Sequence, residues 1–167
     1  EKIQGAEVVA VSDVFEESAK KAAEICGAKV YTDSRELINA EDVDAVFIVS
    51  PGFAHVDSLL QAIEAGKRIF CEKPLCTTAE DCLKVVKAEE AAGKHLIQLG
   101  FMRRYDKGYQ QIKEALATGE YGEPLILHCT HRNPEVGTNY NTPMAVHDTA
   151  IHEIDVLHWL VDDEYES

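Results

Sequence analysis

Between residues 7 and 101, short and nearly continuous apolar runs alternate with amphipathic stretches, which commits the chain to repeated β–α units built around a parallel sheet. Four runs read as strands, over residues 8–13, 45–50, 68–72 and 96–101, and a more polar fifth lies at 29–32. Their unalternating, partly β-branched composition predicts strands covered by helices on both faces. Helices are predicted over 16–25, 54–65 and 79–92. Each is closed by a glycine, Gly27, Gly66 or Gly93, suited to the left-handed residue that ends a helix. Past Phe101 the pattern changes to a helix over 105–117, a strand over 125–129, a polar loop over 133–143 and a last helix over 148–161. Two domains are expected, 1–102 and 103–167.

Charge narrows the partners. Thirty acidic residues against sixteen basic ones leave a net charge of −14, and the basic residues form no long run. Phosphate backbones and anionic lipid need clustered Lys and Arg, so nucleic acid and membrane surfaces are excluded as partners. No apolar stretch approaches the ~18 residues of a bilayer span. With no signal-peptide pattern at its start, the chain is expected in the cytoplasm. The five cysteines, at 26, 71, 76, 82 and 129, are odd in number and lack C-x-x-C spacing, so reduced, packed thiols and no metal site are expected.

In an open parallel sheet, ligands sit beyond the carboxyl ends of the strands, so polar residues there carry weight. The first run ends in Asp13, a carboxylate that either accepts the two hydroxyls of an adenosine ribose or caps the next helix. The second ends in Ser50-Pro51-Gly52 before a helix whose open N–H groups suit a cofactor's phosphates or ribose, or simply begin a turn. His55 follows one turn later, lining that cleft or lying on polar surface. The third runs into Glu72-Lys73-Pro74. An acid and a base directly after a buried strand are costly to desolvate unless they face a polar cleft, and Pro74 restricts the backbone at Lys73. The fourth leads to Arg103 and Arg104, whose forks fit a hydroxylated substrate or a surface ion pair. In the last helix, Ala150, Ile154, Leu157 and Val161 form one stripe and Asp148, His152, Asp155 and Trp159 another, facing water or a cleft. Asp148 and His152 are four apart, close enough for the carboxylate to fix the imidazole as a proton acceptor, or for Asp148 merely to cap the helix.

Taken together, Cys71-Glu72-Lys73-Pro74-Leu75, Gly100-Phe101-Met102-Arg103-Arg104-Tyr105-Asp106 and Asp148-x-x-x-His152 resemble the glucose-fructose oxidoreductase / inositol dehydrogenase family, most nearly its inositol 2-dehydrogenases. The resemblance spans essentially the whole chain. It implies an α/β, doubly wound, Rossmann-like parallel sheet followed by the start of an α+β substrate domain. It implies also an NAD-dependent oxidation of one secondary hydroxyl of a cyclitol or sugar, such as myo-inositol. Carried over residue by residue, Lys73 hydrogen-bonds the reacting oxygen and His152, oriented by Asp148, is the general acid/base. Asp13 binds the adenosine ribose and so favours NAD over NADP. Ser50, Pro51, His55, Glu72 and Lys73 line the cofactor, and Arg103 and Asn133 the substrate. No metal is implied, and a homo-oligomer is expected.

One departure stands out: G-x-G-x-x-G between a first strand and first helix is absent, since only residues 1–6 precede the strand that ends at Asp13. In the strand order 3-2-1-4-5-6 the missing strand is central, so its loss separates the strands ending at Asp13 and Ser50. A truncated chain is therefore expected. Two alternatives accompany it: an inactive fragment forming a rearranged or swapped oligomer, and an NAD-using glycosidase or sugar-nucleotide oxidase with the same Lys–Asp–His set.

Overall fold

A computed structural model describes residues 3–166. The chain divides into two compact units, the first ending at Leu99 and the second beginning at Gly100.

The first unit realises the predicted alternation. Strand β1 (Ala10–Ser12) is followed by α1 (Glu16–Cys26), β2 (Lys29–Tyr31), α2 (Ser34–Ile38), β3 (Ala45–Ile48), α3 (His55–Glu64), β4 (Arg68–Cys71), α4 (Ala79–Ala92) and β5 (Ile97–Leu99). Gly27, Gly66 and Gly93 all adopt positive φ, at 74°, 66° and 65°, as helix-ending residues. Thr78 caps α4 by accepting from the Asp81 N–H, while Glu80 and Asp81 favour the positive end of that helix. Helix α2, absent from the sequence-based expectation, starts where the Asp33 carboxylate accepts from the Arg35 N–H. Five residues are too few to display a helical period.

All strand pairs are parallel, yet they form two sheets, β1-β2 and β3-β4-β5. Among the described residues, strands β1 and β3 are not paired with one another. In the second sheet, among the described residues, helices α3 and α4 cover one face. Val46, Ile48, Ile69 and Cys71 are buried beneath α3 and α4 with Leu59, Ala62 and Val85. On the other face Phe47 stacks on Phe70 with ring centroids 5.3 Å apart and stays 62% exposed. Both covering helices lie on one side, so a run that looks uniformly apolar is buried on alternate residues only.

The cysteines divide likewise. Cys71 and Cys76 are buried, and burial pushes each thiol up to about 12, with Cys76 adding to the effect on Cys71 and Cys82 to that on Cys76. They are inert thiols at neutral pH. Cys26 and Cys129 are exposed, contrary to the expectation that all five are packed.

The second unit opens with a 3-10 turn (Met102–Tyr105) and α5 (Lys107–Thr118), capped by Asp106, whose carboxylate accepts from the N–H groups of Gly108 and Tyr109. Residues 125–129 form no strand, and Leu125 and Ile126 are 91% and 89% exposed. Their apolar pattern fits a strand, but among the described residues no neighbour offers a ladder to join. The last helical stretch begins six residues before Asp148, with α6 (Thr142–Met144), a π-helical turn (Ala145–Ala150) and α7 (Ile151–Val161). Asp148 therefore sits inside this stretch rather than capping it; Asn141 is the cap, accepting from the Met144 N–H. The buried side of α7 carries His152, Asp155, Val156 and Leu160, while Ile154 is 46% exposed. His152 and Asp155 thus face inward beside Val156 and Leu160. Among the described residues no helix is long and apolar enough to cross a membrane.

Candidate active site

In the first unit the register sets Ile48 beside Cys71, so the turns that follow β3 and β4 leave the sheet side by side. The last bond between them in the ladder runs from the Glu72 N–H to the Ile48 carbonyl at 2.9 Å. Ser50 and Pro51 are exposed there, and Glu72 and Lys73 half-buried. Lys73 donates its backbone N–H to its neighbour's carboxylate, Glu72 Oε2, at 3.2 Å. The Lys73–Pro74 peptide is cis. The sheet edge thus presents a hydroxyl, a carboxylate and an ammonium in one neighbourhood.

His55 takes a different position from the one the resemblance implies. Its ring is completely buried, with Nε2 2.7 Å from the Ser50 carbonyl and Nδ1 2.9 Å from that of Pro74. An imidazole enclosed in this way has no surface left for a cofactor, so His55 lies inside the unit rather than lining a cleft. Asp13, at the end of β1, accepts the Phe15 N–H on Oδ1 at 2.8 Å, a local turn that leads into α1. One carboxylate oxygen thereby joins the helix start, which is the capping alternative in modified form, since Phe15 itself is the N-cap.

The second unit assembles its own polar group. Glu153 pairs with Arg103 at 2.5 Å, both side chains being 17% exposed, and it lies 3.3 Å from His131 Nδ1. His131 Nε2 donates to Asn133 Oδ1 at 3.0 Å, and the His131 and His152 rings lie 6.5 Å apart between centroids. Arg103 and Asn133, both substrate candidates, are therefore linked through Glu153 and His131, two residues the sequence reading passed over. A usable signal existed for His131: in extended chain, residues 131 and 133 share a side. Asp148 Oδ1 accepts from His147 Nδ1 at 2.8 Å, and His152 is 7% exposed one turn further along the helix. Arg104 is held by Asp155 through both carboxylate oxygens, at 2.5–3.1 Å, which makes it a structural ion pair and leaves Arg103 as the arginine beside the histidines. Among the described residues no cluster of His, Cys, Asp and Glu has metal-binding geometry.

Burial pushes the Glu153 carboxyl upward, but hydrogen bonds from Arg103 and His131 outweigh it, and its pKa lies below the usual value of 4.5. A depressed folded pKa contributes stability that is complete above 4.5 and is lost as pH falls through the lower, folded value. Thermal midpoints measured from neutral pH downward should therefore fall more steeply below that point in the native protein than in Glu153→Gln. Parallel curves would remove Glu153 from the acid response.

Comparison with known proteins shows the family. Residues 1–101 match a family described as an oxidoreductase family with an NAD-binding Rossmann fold, and residues 109–167 match the GFO/IDH/MocA C-terminal domain. The chain is 57% identical over 168 residues to an inositol 2-dehydrogenase/D-chiro-inositol 3-dehydrogenase of Halalkalibacterium halodurans, covering 99% of this chain and 48% of that protein. It is 54% identical to an inositol 2-dehydrogenase of Pseudomonas syringae, covering 98% and 49%. Among solved structures, the myo-inositol dehydrogenase of Lactobacillus casei, in complex with NAD(H) and myo-inositol, superposes with a TM-score of 0.92 at 50% identity. That match covers 97% of this chain and 48% of the other. The chain spans about half the length of the curated relatives it matches. A parallel α/β unit with its polar groups beyond the ends of β3 and β4, followed by a unit bearing Asp148-x-x-x-His152, agrees with both matched regions, and the chain belongs to the GFO/IDH/MocA oxidoreductase family.

Proposed function

We propose that the protein carrying this chain is an NAD-dependent dehydrogenase that oxidises one secondary hydroxyl of a cyclitol, myo-inositol first among them. The observation that carries this reading is the 50% identity, at a TM-score of 0.92, to a dehydrogenase complexed with NAD(H) and myo-inositol. The residues present fit the two ends of such a cofactor. Asp13 has a second carboxylate oxygen for ribose hydroxyls, and its negative charge disfavours the 2′-phosphate of NADP. Ser50, Pro51 and Glu72 lie beyond the strand ends, where the nicotinamide half would be held. Among the described residues, none supplies the glycine-rich cradle of a pyrophosphate.

The chain's own residues would act on the substrate alcohol. Hydride loss from carbon yields a carbonyl only if the hydroxyl proton also leaves, and His152 would accept that proton, oriented by Asp148. The Lys73 ammonium would donate to the same oxygen and stabilise its developing negative charge. Arg103 and Asn133, tied together through Glu153 and His131, would hold the remaining hydroxyls. When bound, NAD supplies the hydride acceptor. No resident metal enters this scheme. We read the domains as 1–102 for the cofactor and 103–167 for the substrate, and the protein as cytoplasmic, with neither nucleic acid nor membrane as a partner. Self-association is supported by large exposed apolar side chains such as Phe47, Val49 and Phe53.

The test is a panel of inositols and sugars incubated with NAD and the full-length protein, followed as NADH absorbance. A saturable rise with myo-inositol is expected; no rise with any member would overturn the reading.

A further inference from the structure

We infer that His55 is a positioning residue: by bridging the turns after β3 and β4 it fixes the backbone from which Lys73 reaches the substrate. The inference rests on the reading of Lys73 as the group that meets the reacting oxygen. It starts from an imbalance. Residues at the centre of the first unit are aliphatic, yet His55 is 0% exposed among them. Burying an imidazole is unfavourable unless its nitrogens find partners.

The partners are the backbone of the two turns. Nε2 lies 2.7 Å from the Ser50 carbonyl; Nδ1 lies 2.9 Å from that of Pro74 and 3.3 Å from that of Leu75. The Cys71 Sγ is 3.4 Å from Nδ1 and also donates to the Glu72 carbonyl at 3.2 Å. These carbonyls lie beyond the last ladder bond between β3 and β4, where the sheet no longer holds the segments in register. A neutral ring carries one N–H: on Nδ1 it ties α3, which continues from the turn after β3, to the Pro74 carbonyl, and the Ser50 carbonyl is bonded as well only when both nitrogens carry a hydrogen.

A second observation shows how closely the turns are fitted. A Cβ on Gly52 would come within 3.1 and 3.2 Å of Pro74 Cγ and Cδ, and within 3.4 Å of Thr77 Cγ2. The turns touch in front, and His55 ties them from behind. Lys73 is then held on both sides, by its own N–H on Glu72 Oε2 and by the anchored carbonyl of Pro74. An error of ~1 Å in placing a catalytic group can cost ~10²-fold in rate, so this anchoring bears directly on turnover.

The experiment compares His55→Leu, His55→Asn and His55→Gln in the full-length protein. An Asn amide nitrogen falls where Nδ1 lies and keeps the link to Pro74, a Gln amide nitrogen falls where Nε2 lies and keeps the link to Ser50, and Leu keeps neither. Turnover and KM are measured with NAD and myo-inositol. In parallel, lysines are reductively methylated with ¹³C and the Lys73 resonance is assigned by its loss in Lys73→Arg. In His55→Leu we expect kcat to fall by about 10–100-fold, more than KM changes, and the Lys73 resonance to move. In His55→Asn both should return towards the native values, whereas His55→Gln should resemble Leu in kcat. A folded His55→Leu protein with native kcat and an unmoved resonance would overturn the proposal. Should Leu not fold, the other two decide: equal kcat and equal Lys73 resonance in Asn and Gln would overturn it as well. If the native protein reduces no NAD with any inositol, the dehydrogenase reading fails, and the Lys73 resonance still reports whether His55 positions the turn.

Discussion

On the proposed mechanism, His152→Ala in the full-length protein should lower turnover of myo-inositol with NAD by about 10²–10⁴-fold, the usual span for loss of a general base. Lys73→Ala should lower it by about 10²–10³-fold, as expected for removing the donor proposed to face the developing oxyanion. Both effects should fall on kcat rather than KM, because in the proposed mechanism each group would meet the alcohol oxygen most strongly as the proton and hydride depart. His152 is 7% exposed on α7, so truncation also opens a cavity, and the loss must be separated from unfolding. His152→Asn, closer in volume and still polar, supplies that control: it should keep the native thermal midpoint and remain as slow as the alanine variant. Lys73 is half-buried in a turn fixed by Glu72, so its truncation should leave the midpoint nearly unchanged. Normal turnover in a folded variant at either position removes the mechanism.

The first unit was largely legible because its elements announce themselves locally. Runs such as 45–50 and 68–72 are apolar and bounded by turn residues, and the pairing of β3 with β4 and β4 with β5 follows from the β–α repeat alone. The separation of β1 from β3 also matches the expectation from the doubly wound strand order, in which another strand lies between them. Face assignments fared worse. Phe47 has the composition of a buried residue, but which side α3 and α4 occupy is set by packing, not by the strand. On α7 the inward stripe holds His152 and Asp155 because Asp155 finds Arg104, fifty-one residues earlier in the chain. Such a partner makes burial of a carboxylate tolerable, and no periodicity shows it. His55 illustrates the same limit: a histidine shortly after a strand-end turn reads as a cleft residue until its ring is seen against two carbonyls.

Leu59→Ala should destabilise the first unit by about 2–5 kcal/mol, the cost of deleting a buried leucine side chain and leaving a cavity. Leu59 is 0% exposed on α3, beneath which lie Val46, Ile48 and Ile69, and Val85 of α4 belongs to the same cluster. The upper part of the range is favoured by the surroundings. Strands β3 and β4 are fixed by their ladder, and the start of α3 is anchored by His55 to Ser50 and Pro74, so the walls of the cavity cannot readily close. Urea unfolding checks this: the midpoint should drop with an unchanged slope, because the surface exposed on unfolding is nearly the same. Ile25→Ala is the matching control. Ile25 is 89% exposed at the end of α1, so its truncation should stay within about 0.5 kcal/mol of the native protein. Equal losses at the two sites would mean that α3 does not form the centre of this unit, and that the side of the sheet carrying Phe47 and Phe70 holds more of its stability than the side beneath α3 and α4.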